Sequence, residues 1–350
     1  MKWPALLGGV LAGALVAGPL CATASIWQRA RDPGARDRQL VLTRVERLLV
    51  SVGLPEFDAE LSAGAVALAE LGRAPAPCLS QRREPSDGAN PPDLALDARL
   101  EFLLGGALLD SQTNREAEAR CLLEHALSDA PTSPLAAHGL ADLAISAAKT
   151  GDRAAERDAY VRALELTWQP NARGNLLANL AESDMAQGDL RRAIREYRLA
   201  LRTSQEPELV SGAYFGLAVA LDRAGDLPSA LDAANRALSV QLPATLLPAA
   251  SVLDLPNVFF LPSYEIHYYK ALGAMALAQS AQQDLARRDA LADAAEQWTR
   301  YLVRAELDHA RWAARAALHQ ASVARQLAEV AARLRQAPAV RPAQAAPALL

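Results

Sequence analysis

Lysine is nearly missing from this chain: Lys2, Lys149 and Lys270 are the only three among 36 Lys+Arg, and the formal net charge is −4 with a pI near 5.8. Nucleic-acid binding normally needs a basic stripe, so that role is excluded. Aromatics are also scarce, at 5% against a hydrophobic fraction of 51%, and runs of Val, Ile and Thr in strict alternation are missing. The core is therefore expected from alanine- and leucine-rich helices and not from a sheet. There is no Gly-rich phosphate loop, no His-Glu-x-x-His, no Gly-x-Ser-x-Gly and no Cys-x-x-Cys, which removes the common marks of nucleotide, zinc-peptidase, serine-hydrolase and dithiol chemistry. The histidines, His125, His138, His267, His309 and His319, put no two on one helical turn. Neither a metal nor a cofactor is expected. The arginine bias, with so much alanine, points to a high-GC bacterial genome.

What the chain does have is a period. Gly106, Leu143, Leu180 and Leu217 each follow the last by 37 residues, and Gly151-Asp152, Gly188-Asp189 and Gly225-Asp226 recur at the same offset, with Asn114-Arg115 in the first copy. A fixed period in the 20 to 50 range means stacked units and not one globular core. Within the third copy Leu177, Leu180, Ala181 and Asp184 form one stripe at helical spacing; Ala193, Tyr197, Ala200 and Leu201 form another after Gly188-Asp189. Glycine can take the left-handed conformation that closes a helix, and the following aspartate is a good N-cap for the next. Each copy reads as a helical hairpin. One hairpin cannot bury both faces, so the expected fold is all-α, a right-handed α-solenoid whose concave surface is lined by the first helix of each pair.

The motifs themselves resemble the tetratricopeptide repeat family, whose mark is Trp-x-x-Leu-Gly-x-x-Tyr, then Ala-x-x-x-Phe, then proline. Tyr214-x-x-Leu217-Ala218 and Tyr269-x-x-Leu272-Gly273 match the first part, and Ala193-x-x-x-Tyr197 and Ala119-x-x-x-Leu123 the second. Pro131, Pro170, Pro207 and Pro243 fall just past the second helices. The resemblance covers four repeats over residues 100–244 and a fifth, degenerate one over 264–308. Glu156 stands where the small alanine belongs and Ala234 where the aromatic does. The usual repeat has about 34 residues, so the three extra ones are expected to lengthen the loops.

Outside the repeats the chain is less regular. Residues 1–24 combine a charged start, an uncharged stretch and the small-x-small site Ala22-Thr23-Ala24, so the protein is expected to be exported. Two readings stand: a cleaved signal peptide leaving it periplasmic, or an uncleaved anchor in the inner membrane, since the apolar stretch through Trp27 is just long enough to span. Residues 37–73 read as a helical pair, 74–95 as a Pro- and Gly-rich loop, 309–335 as a capping helix and 336–350 as a disordered tail. Cys78 and Cys121 would remain after cleavage and could pair. The flanking Leu122 and Leu123 instead favour a buried free thiol at Cys121.

Two breaks in the period stand out. Residues 245–263 form an apolar insertion, with Leu246-Leu247-Pro248 and Val258-Phe259-Phe260-Leu261, which is expected to be buried along the array or to shape a site with Tyr264, His267, Tyr268 and Tyr269. In the fifth hairpin, 22 residues separate Leu272 from Ala294 where 13 separate Leu180 from Ala193, so nine are added near Ser280 to Arg288.

The function expected from this pattern is a non-catalytic scaffold of the bacterial envelope that holds a protein or peptide partner. Its contact residues would be Asn175, Asn179, Glu182 and Tyr214 on the first helices, with Tyr264, His267 and Tyr268. Some proteins of the resembling family clamp a terminal carboxylate with lysines and asparagines; here Asp142, Asn179, Glu182 and Asp222 outnumber Arg223 on that surface, which fits a neutral or basic segment better. The alternative is an accessory or enzymatic protein with a small-molecule pocket formed by residues 245–269. Glu265 and His267 could serve as acid and base there, but no nucleophile accompanies them.

Overall fold

The computed structural model describes residues 116–243, 251–255 and 260–336, together with the isolated positions Ala98, Glu101, Phe102, Gly105, Gly106, Leu109 and Val258. The leader, the 37–73 pair, the 74–95 loop and the tail from residue 337 lie outside the described residues, as does most of the first repeat's opening helix.

Among the described residues the chain is all-helical, with ten α-helices and no strand. These are α1 (Glu116–Asp129), α2 (Ala136–Thr150), α3 (Arg153–Leu166), α4 (Pro170–Gln187), α5 (Leu190–Thr203), α6 (Pro207–Arg223), α7 (Leu227–Ser239), α8 (Glu265–Ser280), α9 (Asp284–Ala305) and α10 (Ala313–Gln336). Neighbours in sequence pack as pairs: α2 on α3, α4 on α5, α8 on α9, and α9 again on α10. The arrangement is consistent with an α-solenoid. By its contacts the chain divides into two compact units, one reaching Leu209 and including Pro256–Val258, the other comprising Val210–Leu255 and the chain from Phe259 on.

The period is realised in the turns. Gly151, Gly188 and Gly225 have φ of 80°, 90° and 102°, the left-handed region open to glycine at little cost. In each, the amide after the glycine reaches back across the turn: Asp152 N to Ala147 O (2.9 Å), Asp189 N to Asp184 O (2.9 Å) and Asp226 N to Leu221 O (3.0 Å). That is the six-to-one bond of a Schellman closure. Each aspartate carboxylate then accepts from an amide three residues on, of Ala155, Arg192 or Ser229, at 3.1 Å in all three cases. One dipeptide thus ends one helix and starts the next. A Cβ at Gly225 would meet nothing within 4 Å, so Gly225→Ala tests backbone conformation alone. It is expected to cost about 1–2 kcal/mol, read as a shifted urea midpoint, with Gly225→Asn costing less; no shift for alanine would refute the account.

The second helices repeat a buried three-residue wedge, small-large-small in α1 and α5, with Glu156 in the first place in α3 and Ala234 in the middle place in α7. Ala119, Leu123 and Ala126 in α1, Glu156, Tyr160 and Ala163 in α3, Ala193, Tyr197 and Ala200 in α5, and Ala230, Ala234 and Ala237 in α7 are all buried. Alanines let helices approach while the large residue between them fills the groove. Glu156 is fully buried and pairs with Arg153 at 2.8 Å. In the fifth hairpin Ala294, Trp298 and Leu302 hold these places.

Two expectations are corrected or refined. Cys121 is disulfide-bonded and half-buried, not a buried free thiol; it sits beside the stripe of Ala119, Leu122 and Leu123 and not within it. The chain's other cysteines, Cys21 and Cys78, lie outside the described residues. Of the apolar insertion's described residues, Val252, Leu253, Leu255, Val258 and Phe260 are buried, all below 10% exposure, whereas Asp254, Pro262 and Ser263 are exposed. Ser251 caps a single 3-10 turn there, Val252–Asp254, and Phe260 packs edge-on to Tyr269 at 5.1 Å.

Candidate functional site

In the first unit, the polar residues expected to line an open groove are inside. Asn175, Asn179 and Glu182 are 3%, 2% and 7% exposed. They lie along one side of α4 because residues four apart share a helical face. Asn179 donates to Asn175 Oδ1 at 3.1 Å, and the Tyr197 hydroxyl donates to Glu182. Asp142, at 4% exposure, is buried as well. On the other side of α4, Asp184 receives Arg157 at 2.9 Å and lies near Arg192 at 3.9 Å. Burial and the neighbouring Asp184 push the Glu196 carboxyl up to about 8.

The second unit holds a denser group whose centre is Asp222, at the end of α6 and fully buried. Its carboxylate accepts from the Tyr268 hydroxyl at 2.6 Å, from Arg315 at 2.9 Å and from His319 Nε2 at 2.9 and 3.0 Å. Burial alone would raise its pKa, but these donors, His319 first and Arg315 next, hold it down at about 2. The adjacent Arg223 turns the other way. Its side chain, 4% exposed, pairs with Glu265 and lies over the Tyr268 ring at 4.7 Å and the Trp312 ring at 5.4 Å. Desolvation works against its charge, yet Glu265 and the surrounding tyrosines carry its pKa above the ordinary arginine value. Two carboxylates and two guanidiniums thus balance inside an aromatic wall of Tyr268, Trp298, Tyr301 and Trp312.

Tyr264, His267 and Tyr268 are brought together at the start of α8, as their spacing implies. Tyr268 is fully buried. Tyr264 and His267 keep part of their surface. Tyr264 packs edge-on to Tyr301 at 5.6 Å, and partial burial beside Asp308 pushes its hydroxyl up to about 12. His267 Nδ1 meets Gln297 at 2.8 Å. Tyr214, on α6, is half-buried and sits against Arg236.

Arg315, His319 and Trp312 escaped the sequence reading, although a signal was present. Asp222 falls 37 residues after Met185 and 74 after Ala148, both buried, so a carboxylate in that register demands partners. Arg315 and His319, four apart on one helix, are such partners. What the cluster accomplishes is to fasten α6, α8 and α10 together.

The same unit carries a cleft of about 350 Å³ between α7, α8, α9 and α10. Among the described residues, none that lines it comes from 245–269. Among the described residues no group of His, Cys, Asp and Glu is placed to hold a metal ion, and no helix is long and apolar enough to cross a membrane.

Fold and site together define an all-helical protein of paired helices. No protein-family model matches the chain, and no curated protein matches it.

Proposed function

We propose that the protein is a non-catalytic scaffold of the bacterial envelope, similar in design to tetratricopeptide repeat proteins, which binds a protein or peptide partner. The observation that carries this is the threefold recurrence of one hairpin turn, Gly-Asp with the same two hydrogen bonds, at a fixed 37-residue offset. Such repetition builds a stiff frame for surface side chains, and the strongest ionisable groups are spent on holding that frame. In this reading the hairpins follow a right-handed course and α10 caps the last of them. Export is supported by the leader pattern of residues 1–24 and by the disulfide at Cys121, a bond that persists in oxidising compartments.

Burial redistributes the roles of the contact residues. Tyr214, Tyr264 and His267 retain surface and would touch the partner, whereas Asn175, Asn179, Glu182 and Tyr268 would support the helices from within. The test is crosslinked capture with the full-length chain from membranes, followed by mass spectrometry. Tyr264→Ala combined with His267→Ala is expected to lower recovery of the specific partner about tenfold, as loss of an interfacial anchor does. An unchanged partner set, with the variant folded, rejects this surface. Sequencing of the mature amino terminus in the same fractions separates a cleaved leader from an anchor. The competing reading, a small-molecule pocket, draws support from the cleft, although the cleft's position is not the one expected.

A further inference from the structure

The second helix of the third hairpin departs from its counterparts in charge. On α3 and α7 an exposed ion pair joins Asp158 to Arg162 and Asp232 to Arg236, at 3.8 and 2.9 Å, and the two pairs stand 74 residues apart. The places between them, 37 residues from each, are Arg195 and Leu199. In α5 the pair thus gives way to a cation and to an aliphatic side chain that is 39% exposed. The helix as a whole carries Arg191, Arg192, Arg195, Arg198 and Arg202 against one acid, Glu196, in a chain of net charge −4. Its first turn holds no acid, although the amino end of a helix favours negative charge.

Four of these arginines form one stripe. Arg191, Arg195, Arg198 and Arg202 follow at steps of four, three and four, which keeps them on one face of a helix, and all four are exposed. They lie opposite the buried Ala193, Tyr197 and Ala200 and run about 16 Å along the axis. Among the described residues none of the four makes an ion pair or a side-chain hydrogen bond. The acids at hand are engaged with other groups. Asp189 caps α5 and pairs with Arg192 at 2.5 Å, so that Arg195 reaches it only through space, and Glu196 is turned to Asp184. Like charges at these steps weaken the helix that carries them, so the stripe works against the fold and not for it.

We infer that the α5 stripe is a docking surface for an acidic helical segment of a partner protein. Steps of four, three and four are a helix's own, so a second helix with carboxylates at those steps meets every arginine. An extended chain, rising about 3.3 Å per residue, drifts out of register. Arginine pairs with carboxylate through charge-assisted, two-pronged hydrogen bonds, and Leu199 adds an apolar contact beside them. A broad anionic surface, such as a lipid bilayer or a nucleic acid, fits less well. α3 packs on α4 as α5 does, and it exposes Asp158 and Glu165 at the places 37 residues before Arg195 and Arg202. A second copy does not supply the acids either: Asp289, Asp293 and Glu296 of α9 have the matching steps, but Arg288, Gln297 and Arg300 already meet them. The surface extends the scaffold reading and uses neither Tyr264 nor His267, so the two fail separately.

Fluorescence anisotropy on the full-length chain tests it. The probe is a labelled alanine-based helical peptide carrying four glutamates at the steps of the stripe, and the control is a peptide of the same composition whose glutamates are divided between two faces. The one-faced peptide is expected to bind about tenfold more tightly than the control and to weaken as salt rises. Arg195→Gln combined with Arg198→Gln should erase that preference while the urea midpoint holds or rises, which a merely structural pair of arginines would not allow. Arg195→Glu combined with Arg198→Glu should bind instead a peptide whose two central glutamates are changed to lysine. Tyr264→Ala with His267→Ala should leave the peptide affinity unchanged. No binding, equal affinity for the two peptides, or a lowered urea midpoint in the glutamine variant overturns the inference. So does tighter capture by phosphatidylglycerol vesicles or duplex DNA than by the one-faced peptide, or a dimer in sedimentation velocity that the glutamine variant abolishes.

Discussion

Replacing Asp222 by alanine is expected to remove about 3–5 kcal/mol of stability, the usual penalty for breaking a buried ionic group by taking out one member. The loss is large because three partners are stranded together. Arg315, His319 and Tyr268 each direct a donor at this carboxylate, and Tyr268 and His319 have almost no solvent to turn to instead. Asp222→Asn keeps the shape but not the charge, and should fall between wild type and alanine. Urea titration followed by Trp fluorescence measures the effect, since Trp298 stacks on His319 at 5.2 Å. A change below 1 kcal/mol, on the scale of exposed ion pairs, would mean that the cluster is not the fastening described.

The same carboxylate sets an acid limit. Its folded pKa, about 2, lies below the ordinary value of 3.8, so the unfolded chain takes up its proton first. The stabilisation is therefore complete above pH 3.8 and is lost as pH falls from 3.8 through 2. The shift corresponds to about 2 kcal/mol. In Asp222→Asn this slope should vanish from the stability profile between those values, while other carboxylates continue to titrate.

The hairpin turns were legible in the sequence because their requirement is local. A left-handed residue followed by a capping acid leaves Gly-Asp as a natural solution, so three such pairs at one spacing state both the turn and the period. The wedge residues Ala193, Tyr197 and Ala200 were legible for the same reason. Asp222 was not, because its partners lie 46, 93 and 97 residues away and nothing in a local window distinguishes a solvated aspartate from a hub. Asn175 and Asn179 misled in the opposite sense: amides at helical spacing look like a polar face, yet they pair with one another inside. The added length of the fifth hairpin could be counted from the broken period. That it continues a helix, and so walls a cleft, depended on Arg287 and Asp284 finding carbonyls and an arginine on other helices.

Trp298→Ala should produce the second large effect, again about 3–5 kcal/mol, the range for emptying a fully buried aromatic site. Trp298 is the large member of the fifth wedge and touches three kinds of neighbour. It meets Tyr268 edge-on at 4.8 Å, lies against His319, and donates to Met275. Alanine therefore leaves a cavity on the aromatic side and loosens the floor of the cleft on the other. In a repeat array stability is a sum of local terms and neighbour interfaces, so the damage should be regional. Native-state hydrogen exchange is expected to show faster exchange of amides in α8, α9 and α10, with α2–α5 nearly unchanged. Uniform acceleration throughout would indicate one cooperative core, and would count against stacked hairpins as the organising principle. Trp298→Phe should restore much of the protection, since a ring is kept against Tyr268 and only the N–H to sulfur contact and part of the volume are lost.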